Sequence, residues 1–122
     1  VDSGLGMQVW SNKIKVDPFK DWDDLVVNQV WSAKKTGVII LGGGVPKNFI
    51  LQAQQFSDKE HGYAVQITMA SIHDGGLSGA ELREAVSWGK IGKNSLSADV
   101  RSDVTIVLPL IVDYLKKKKV KR

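Results

Sequence analysis

The chain has no cysteine, which rules out a disulfide framework and a thiolate metal site and suits a reducing compartment. It has only two histidines, His61 and His73. No third ligand stands at a supporting spacing around them, so they read as surface histidines and no metal is expected. No serine, histidine and aspartate fall into a triad-like arrangement. No apolar run approaches the ~20 residues of a membrane span and no signal-peptide pattern opens the chain, so the expectation is a cytoplasmic protein with no membrane partner. Positive charge is also scarce outside one place. Without Lys116 to Lys119, Lys121 and Arg122, 11 basic residues face 13 acidic ones, a net charge of −2. The formal +4 therefore belongs to a basic tail, 116–122. Such a tail can meet phosphates, but a solvated helix end, with lysines at the negative end of the helix dipole, explains it more simply; nucleic acid is not an expected partner.

What is present is 122 residues, 43% hydrophobic and 25% charged, the make-up of one globular domain with one core. From Asp21 to Lys35 the apolar residues Trp22, Leu25, Val26, Val30 and Ala33 recur at helical spacing, and Gly37 is placed to end that helix. Val38 to Leu41 is a continuous apolar run that predicts a parallel strand covered on both faces. Gly42, Gly43 and Gly44 turn the chain into a second helix, with Pro46 in its first turn. A second strand is predicted over Tyr63 to Met69 and a loop over Ser71 to Leu77. A helix then follows in which Ser78 and Glu81 form a capping box and Gly89 ends the run. Gly92 to Arg101 reads as a loop, Val104 to Leu108 as a third strand, and the chain after Pro109 as a final helix. This alternation predicts an α/β fold, a Rossmann-like parallel sheet with helices on both faces and right-handed crossovers. Trp10, Trp22 and Trp31 read as packing residues rather than a base-stacking platform.

Two features point to chemistry. The glycine triplet between a strand and a helix leaves the backbone bare, so a ligand can reach N–H groups at a helix N-terminus; a tight turn needing positive φ accounts for it equally well. Lys90, in Glu84-Ala85-Val86-Ser87-Trp88-Gly89-Lys90, lies between an indole and Ile91 and downstream of a carboxylate. A free lysine with pKa near ~10.4 is ammonium at neutral pH and attacks a carbon centre only where its surroundings favour the neutral form. By residue type alone, Lys90 is either such a nucleophile or an ordinary solvated lysine after a helix end.

The run EAVSWGK is accompanied in order by Asp2-Ser3-Gly4-Leu5-Gly6, Gly42-Gly43-Gly44-Val45-Pro46-Lys47, Asp74-Gly75-Gly76-Leu77-Ser78-Gly79-Ala80 and Asp103-Val104-Thr105-Ile106-Val107-Leu108-Pro109-Leu110. In these motifs and their gaps, residues 1–115 resemble the C-terminal third of deoxyhypusine synthase, as part of a larger NAD-binding domain. The resemblance implies a reaction. Bound NAD takes hydride from the carbon beside a polyamine's secondary amine, and a lysine attacks the resulting imine and expels diaminopropane. An acceptor amine then takes the aminobutyl group from that lysine, and the stored hydride reduces the product imine. It implies Lys90 as the imine-forming lysine, Glu84 as the carboxylate at the reacting amine and Trp88 as the ring against which the amine packs. It also implies a cofactor site at Asp2, Gly42, Gly43, Asp74, Gly75, Ser78, Asp103 and Val104, and a tetramer, homo- or hetero-, with sites at subunit interfaces. Because the match begins deep inside a longer family sequence and Val1 is not methionine, the chain is expected to be a fragment, a processed chain or half of a split protein. It is expected to work with a missing N-terminal segment or partner chain.

Departures from the family pattern fall on the substrate side. Asn48 and Phe49 stand where the family has a histidine pair, Gln52 where it has an asparagine, and Leu77 and Met7 where it has aspartates. Asn48, Gln52 and Leu77 thus become candidate substrate contacts beside Trp88. The run Val45 to Phe49 resembles the bacterial deoxyhypusine synthase-like branch, which includes transferases using small free amines. The expectation is an aminobutyl transferase with an altered amine or acceptor. The alternatives are a true deoxyhypusine synthase, modifying a lysine of the translation factor 5A precursor, and a catalytically silent partner subunit of the same fold.

Overall fold

The computed structural model describes residues 3–118. Its elements are α1 (Gly4–Ser11), α2 (Lys20–Asp23) running into a wider, π-wound stretch (Asp24–Trp31), β1 (Gly37–Leu41), α3 (Gly44–Gln55), β2 (His61–Thr68), α4 (Gly76–Gly79), α5 (Leu82–Ser87), β3 (Ile91–Arg101) and α6 (Val104–Lys117). The three strands are parallel in the order β1-β2-β3, with Val38 beside Ala64 and Ala64 beside Ser97. This is the α/β, Rossmann-like sheet flanked by helices that the sequence predicts. Both crossovers step the same way across the sheet, so right-handedness places α3 and α5 on one face. There Val38, Ile40, Ala64, Leu51, Leu82, Ala85 and Ile91 form the main core. A second cluster joins Val26, Val30 and Ala53, with Trp22 packed against it. Trp22 meets the edges of Phe49 and Phe56 at 5.0 and 5.6 Å, and the Trp31 indole donates to the Phe56 carbonyl.

Three expectations are corrected. Gly92 to Arg101 is not a loop; it lies within β3, paired with Tyr63–Thr68. Val104 to Leu108 is not a strand; it opens α6, because the Asp103 carboxylate accepts from the amide of Thr105 and starts a helix, which runs through Pro109 rather than beginning after it. Ser78 and Glu81 form no capping box. Ser78 lies in α4, and the Leu82 amide that opens α5 donates to the Asp99 carboxylate from β3. The capping box is made instead by Ser71 and Asp74.

β1 is not covered on both faces. Val38 and Ile40 are buried, whereas Ile39 is 69% exposed, and its neighbours on that face include Tyr63 at 60% and Leu96 at 72%. Lys116 and Lys117, where the basic tail begins, form the last turn of α6, as the dipole argument requires; residues 119–122 lie outside the described part. Among the described residues no helix is long and apolar enough to cross a membrane.

His61 is not a surface residue. It is buried at the start of β2, its Nδ1 2.9 Å from the Thr36 hydroxyl and its Nε2 without a partner among the described residues. Burial pushes its pKa below the ordinary value. The unfolded chain therefore takes up this proton near pH ~6.5 while the folded chain resists it. Stability should be full above that pH and fall as the pH drops below it. Thermal melts between pH ~7.5 and ~5 should show that loss, and His61→Gln should flatten it; an equally steep loss in the variant would assign it elsewhere.

Candidate active site

The groove that gathers five of the six catalytic and substrate candidates runs between α3 and α5. Lys47, Asn48 and Leu51 line it from α3, Leu77 and Ala80 from the turn around α4, and Glu81, Glu84, Ala85, Trp88 and Lys90 from α5 and its flanks. α5 is short because Gly89 takes a left-handed conformation, φ 66°, that stops the helix before Lys90. The Lys90 amide returns to the Ala85 carbonyl, and the Lys90 carbonyl accepts from the His61 amide, so the backbone of Lys90 is fixed at the mouth of β3. Trp88 remains 70% exposed, its carbonyl accepting from the Gln55 side chain. Lys90, Glu84, Trp88, Asn48 and Leu77 thus line one groove.

Other expected residues lie elsewhere. Gln52 is on the exposed side of α3 and does not line the groove. Of the two positions where the family has histidines, Asn48 faces the groove while Phe49 turns away to Trp22. Met7 lies exposed on α1, and Asp2 is outside the described residues. The groove holds only about 100 Å³, below the ~300–1,000 Å³ usual for small-molecule sites.

The expected cofactor residues collect where the strands end. Gly43 packs so closely on Ser78 that a Cβ there would lie 2.5 Å from the Ser78 Cα. Gly42 and Gly75 have φ of 85° and 70° and open space where a Cβ would point. α3 begins at this point with no side-chain cap on its first amides. Asp74 uses one carboxylate oxygen on the Ser71 amide, and Asp103 uses one on the amide and hydroxyl of Thr105. Those Thr105 bonds hold the Asp103 pKa below the ordinary carboxylate value. Val104 follows as the first residue of α6.

Sequence reasoning missed the buried polar pair behind the groove. Lys47 is 5% exposed, and its Nζ donates to Gln66 Oε1 at 2.8 Å, to the Leu77 carbonyl at 3.1 Å and to the Ala80 carbonyl. Burial lowers its pKa, against the opposing pull of Asp99 and Glu84. Three acceptors call for the three protons of an ammonium. Of the two lysines in the groove, Lys47 is therefore the tethered cation, and Lys90 has no such tether among the described residues. The sequence signal for this was slight: a lysine near the start of a helix that also buries Leu51, Ala53 and Gln54.

A three-stranded parallel sheet flanked by helices, with glycine turns at its strand ends and a lysine, a carboxylate and an indole brought to one groove, defines a Rossmann-like α/β protein. The family model described as deoxyhypusine synthase matches residues 1–115, and the chain belongs to that family. Among similar proteins, the probable deoxyhypusine synthase 1 of Methanosarcina acetivorans is 44% identical over 99% of this chain and 39% of its own length. That of Archaeoglobus fulgidus is 42% identical over 93% of this chain and 37% of its own length. The probable deoxyhypusine synthase of Sulfolobus acidocaldarius is 40% identical over 91% and 36%. The chain thus spans less than two fifths of the length of the curated relatives it matches. These three are archaeal, so they add nothing to the bacterial affinity read from Val45 to Phe49.

Proposed function

We propose that this chain carries the lysine of an NAD-dependent aminobutyl transferase of the deoxyhypusine synthase type, acting on a polyamine. The observation that carries the reading is the meeting of Lys90, Glu84 and Trp88 in one groove. A polyamine needs an anion and a π-face to hold it and an untethered lysine to react with it. Glu84, whose carboxylate enters no ion pair among the described residues, is the group to hold the cationic amine and take its proton. Glu81, on the same groove, is already neutralised by Arg83 and Arg101. Lys90 adds through its lone pair to the oxidised carbon, forming the new C–N bond as the diamine departs with the old one. The acceptor amine later reverses the exchange and frees Lys90.

The strand ends suit a dinucleotide. The uncapped start of α3, the bare backbone at Gly42 and Gly75, and the free oxygens of Asp74 and Asp103 are the groups to hold phosphate and ribose, with Ser78 and Val104 beside them. When bound, NAD supplies hydride acceptance and return. The small volume of the groove and the bare face of β1 support a site completed by further protein, from an N-terminal segment or partner chain in a tetramer, and the cytoplasm is the proposed setting.

The assembled protein, given NAD and spermidine and quenched with borohydride, should carry added mass on the peptide containing Lys90; label on another lysine would refute the assignment. The relatives' names favour a protein lysine as acceptor, whereas Asn48 and Leu77 in the groove favour a free amine, because an ammonium buried against leucine without a partner costs several kcal/mol. Turnover with the factor 5A precursor against turnover with a free diamine separates the two, and the diamine should win.

A further inference from the structure

Behind the groove, Lys47 and Gln66 form one buried tie between three parts of the chain. Lys47 reaches from α3 to the carbonyls of Leu77 and Ala80, and its third proton goes to Gln66 on β2. The Gln66 amide nitrogen in turn donates to the Gly42 carbonyl at 3.1 Å and the Ser78 carbonyl at 3.2 Å. Both side chains are buried, at 5% and 0% exposure. A buried cation and amide are costly unless every donor is used, and here all the donors of both side chains are spent on the Gly42 turn, the Leu77–Ala80 wall and each other.

We infer that Lys47, with Gln66, is a positioning residue for the amine groove. It fixes the wall carrying Leu77 and Ala80 to α3 and β2, and so sets that wall's place across the groove from α5, which carries Glu84 and leads through Trp88 to Lys90. α4 is a single turn of four residues with no side-chain cap, so its own hydrogen bonds cannot hold that wall in place. The Lys47 charge also faces Glu84 and Asp99. Removing it would leave the Gln66 amide oxygen and two carbonyls unpaired and free the wall to shift, and a displacement of about 1 Å in a site of this kind can cost up to two orders of magnitude.

This inference rests on the reading of the groove as the amine site. The test uses the assembled protein with Lys47→Met, which keeps length and removes the donors, and Gln66→Glu, which keeps a partner for Lys47 but loses the donors to Gly42 and Ser78. In both, KM and the calorimetric dissociation constant for spermidine should rise about tenfold or more, while Lys90 is still trapped by borohydride at saturating amine. Lowered melting temperature with wild-type amine affinity in the variants that fold would reduce the pair to a structural role and overturn the inference. If Lys47→Met does not fold, Gln66→Glu decides by the same two constants. A Lys90→Ala control that keeps activity would overturn the groove reading and this inference with it; an inactive control beside unchanged affinities would overturn the inference alone.

Discussion

Replacing Lys90 by alanine should lower amine transfer by about three orders of magnitude or more, the scale seen when a covalent nucleophile is removed. The informative companion is Lys90→Arg. Arginine keeps length and positive charge, but its guanidinium stays protonated at any working pH and has no lone pair to offer. If Lys90 served only to repel or orient the substrate, the arginine variant would retain much of the rate. As a nucleophile it leaves both variants equally inactive, and a small primary alkylamine added to Lys90→Ala should restore part of the turnover. Gly89 makes the experiment clean: its left-handed turn ends α5 before position 90, so neither side chain disturbs the helix that carries Glu84. Equal initial rates for wild type and Lys90→Arg would sink the nucleophile role.

The second large effect is structural. Gly79 is buried, and a Cβ placed on it would lie 2.1 Å from the Ser71 carbonyl oxygen and 2.9 Å from its carbon. Those atoms are backbone and belong to the turn closed by the Ser71–Asp74 capping box, so they cannot step aside as a flexible side chain would. Gly79→Ala should cost about 3 kcal/mol, at the upper end for overpacking. Gly4→Ala is the control, since a Cβ there meets open space and the residue has no positive φ, and it should leave stability at or slightly above wild type. Urea midpoints rank the two; a Gly79→Ala midpoint at the wild-type value would mean that the turn and α4 do not pack as described.

Much of this arrangement could be read from the chain. The apolar run Val38–Leu41, the glycines after it and the helical spacing of Phe49 to Phe56 gave β1 and α3 with their order, because each signal is local. Lys90, Glu84 and Trp88 are singled out by the family resemblance of EAVSWGK, and they meet in one groove because the helix and the glycine that stops it lie within seven residues. What failed depended on partners distant in sequence. Leu96, Ala98 and Val100 alternate with Ser97 and Asp99, but Lys93, Asn94 and Ser95 made the segment read as a loop; pairing with Tyr63–Thr68 makes it a strand. Val104 to Leu108 has the β-branched content of a strand, yet one carboxylate at Asp103 starts a helix, and that helix leaves Ile106 and Leu110 exposed at 63% and 66%. Apolar content there was not a sign of burial within this chain. Lys47 could not be recognised as a tether, since Gln66, Leu77 and Ala80 are brought to it only by the folded sheet.

The uncovered side of the sheet sets a limit on how this polypeptide can be handled. Ile39, Tyr63 and Leu96 stand in adjacent strands, and both β1 and β3 end the sheet with open backbone edges among the described residues, the two features that promote strand addition between copies. In the proposed assembly, where further protein covers this face, colloidal stability and completion of the groove are coupled. Charged substitutions there would improve solubility and yield while removing the surface on which that assembly would form, so the best-behaved variant in the test tube need not be the active one.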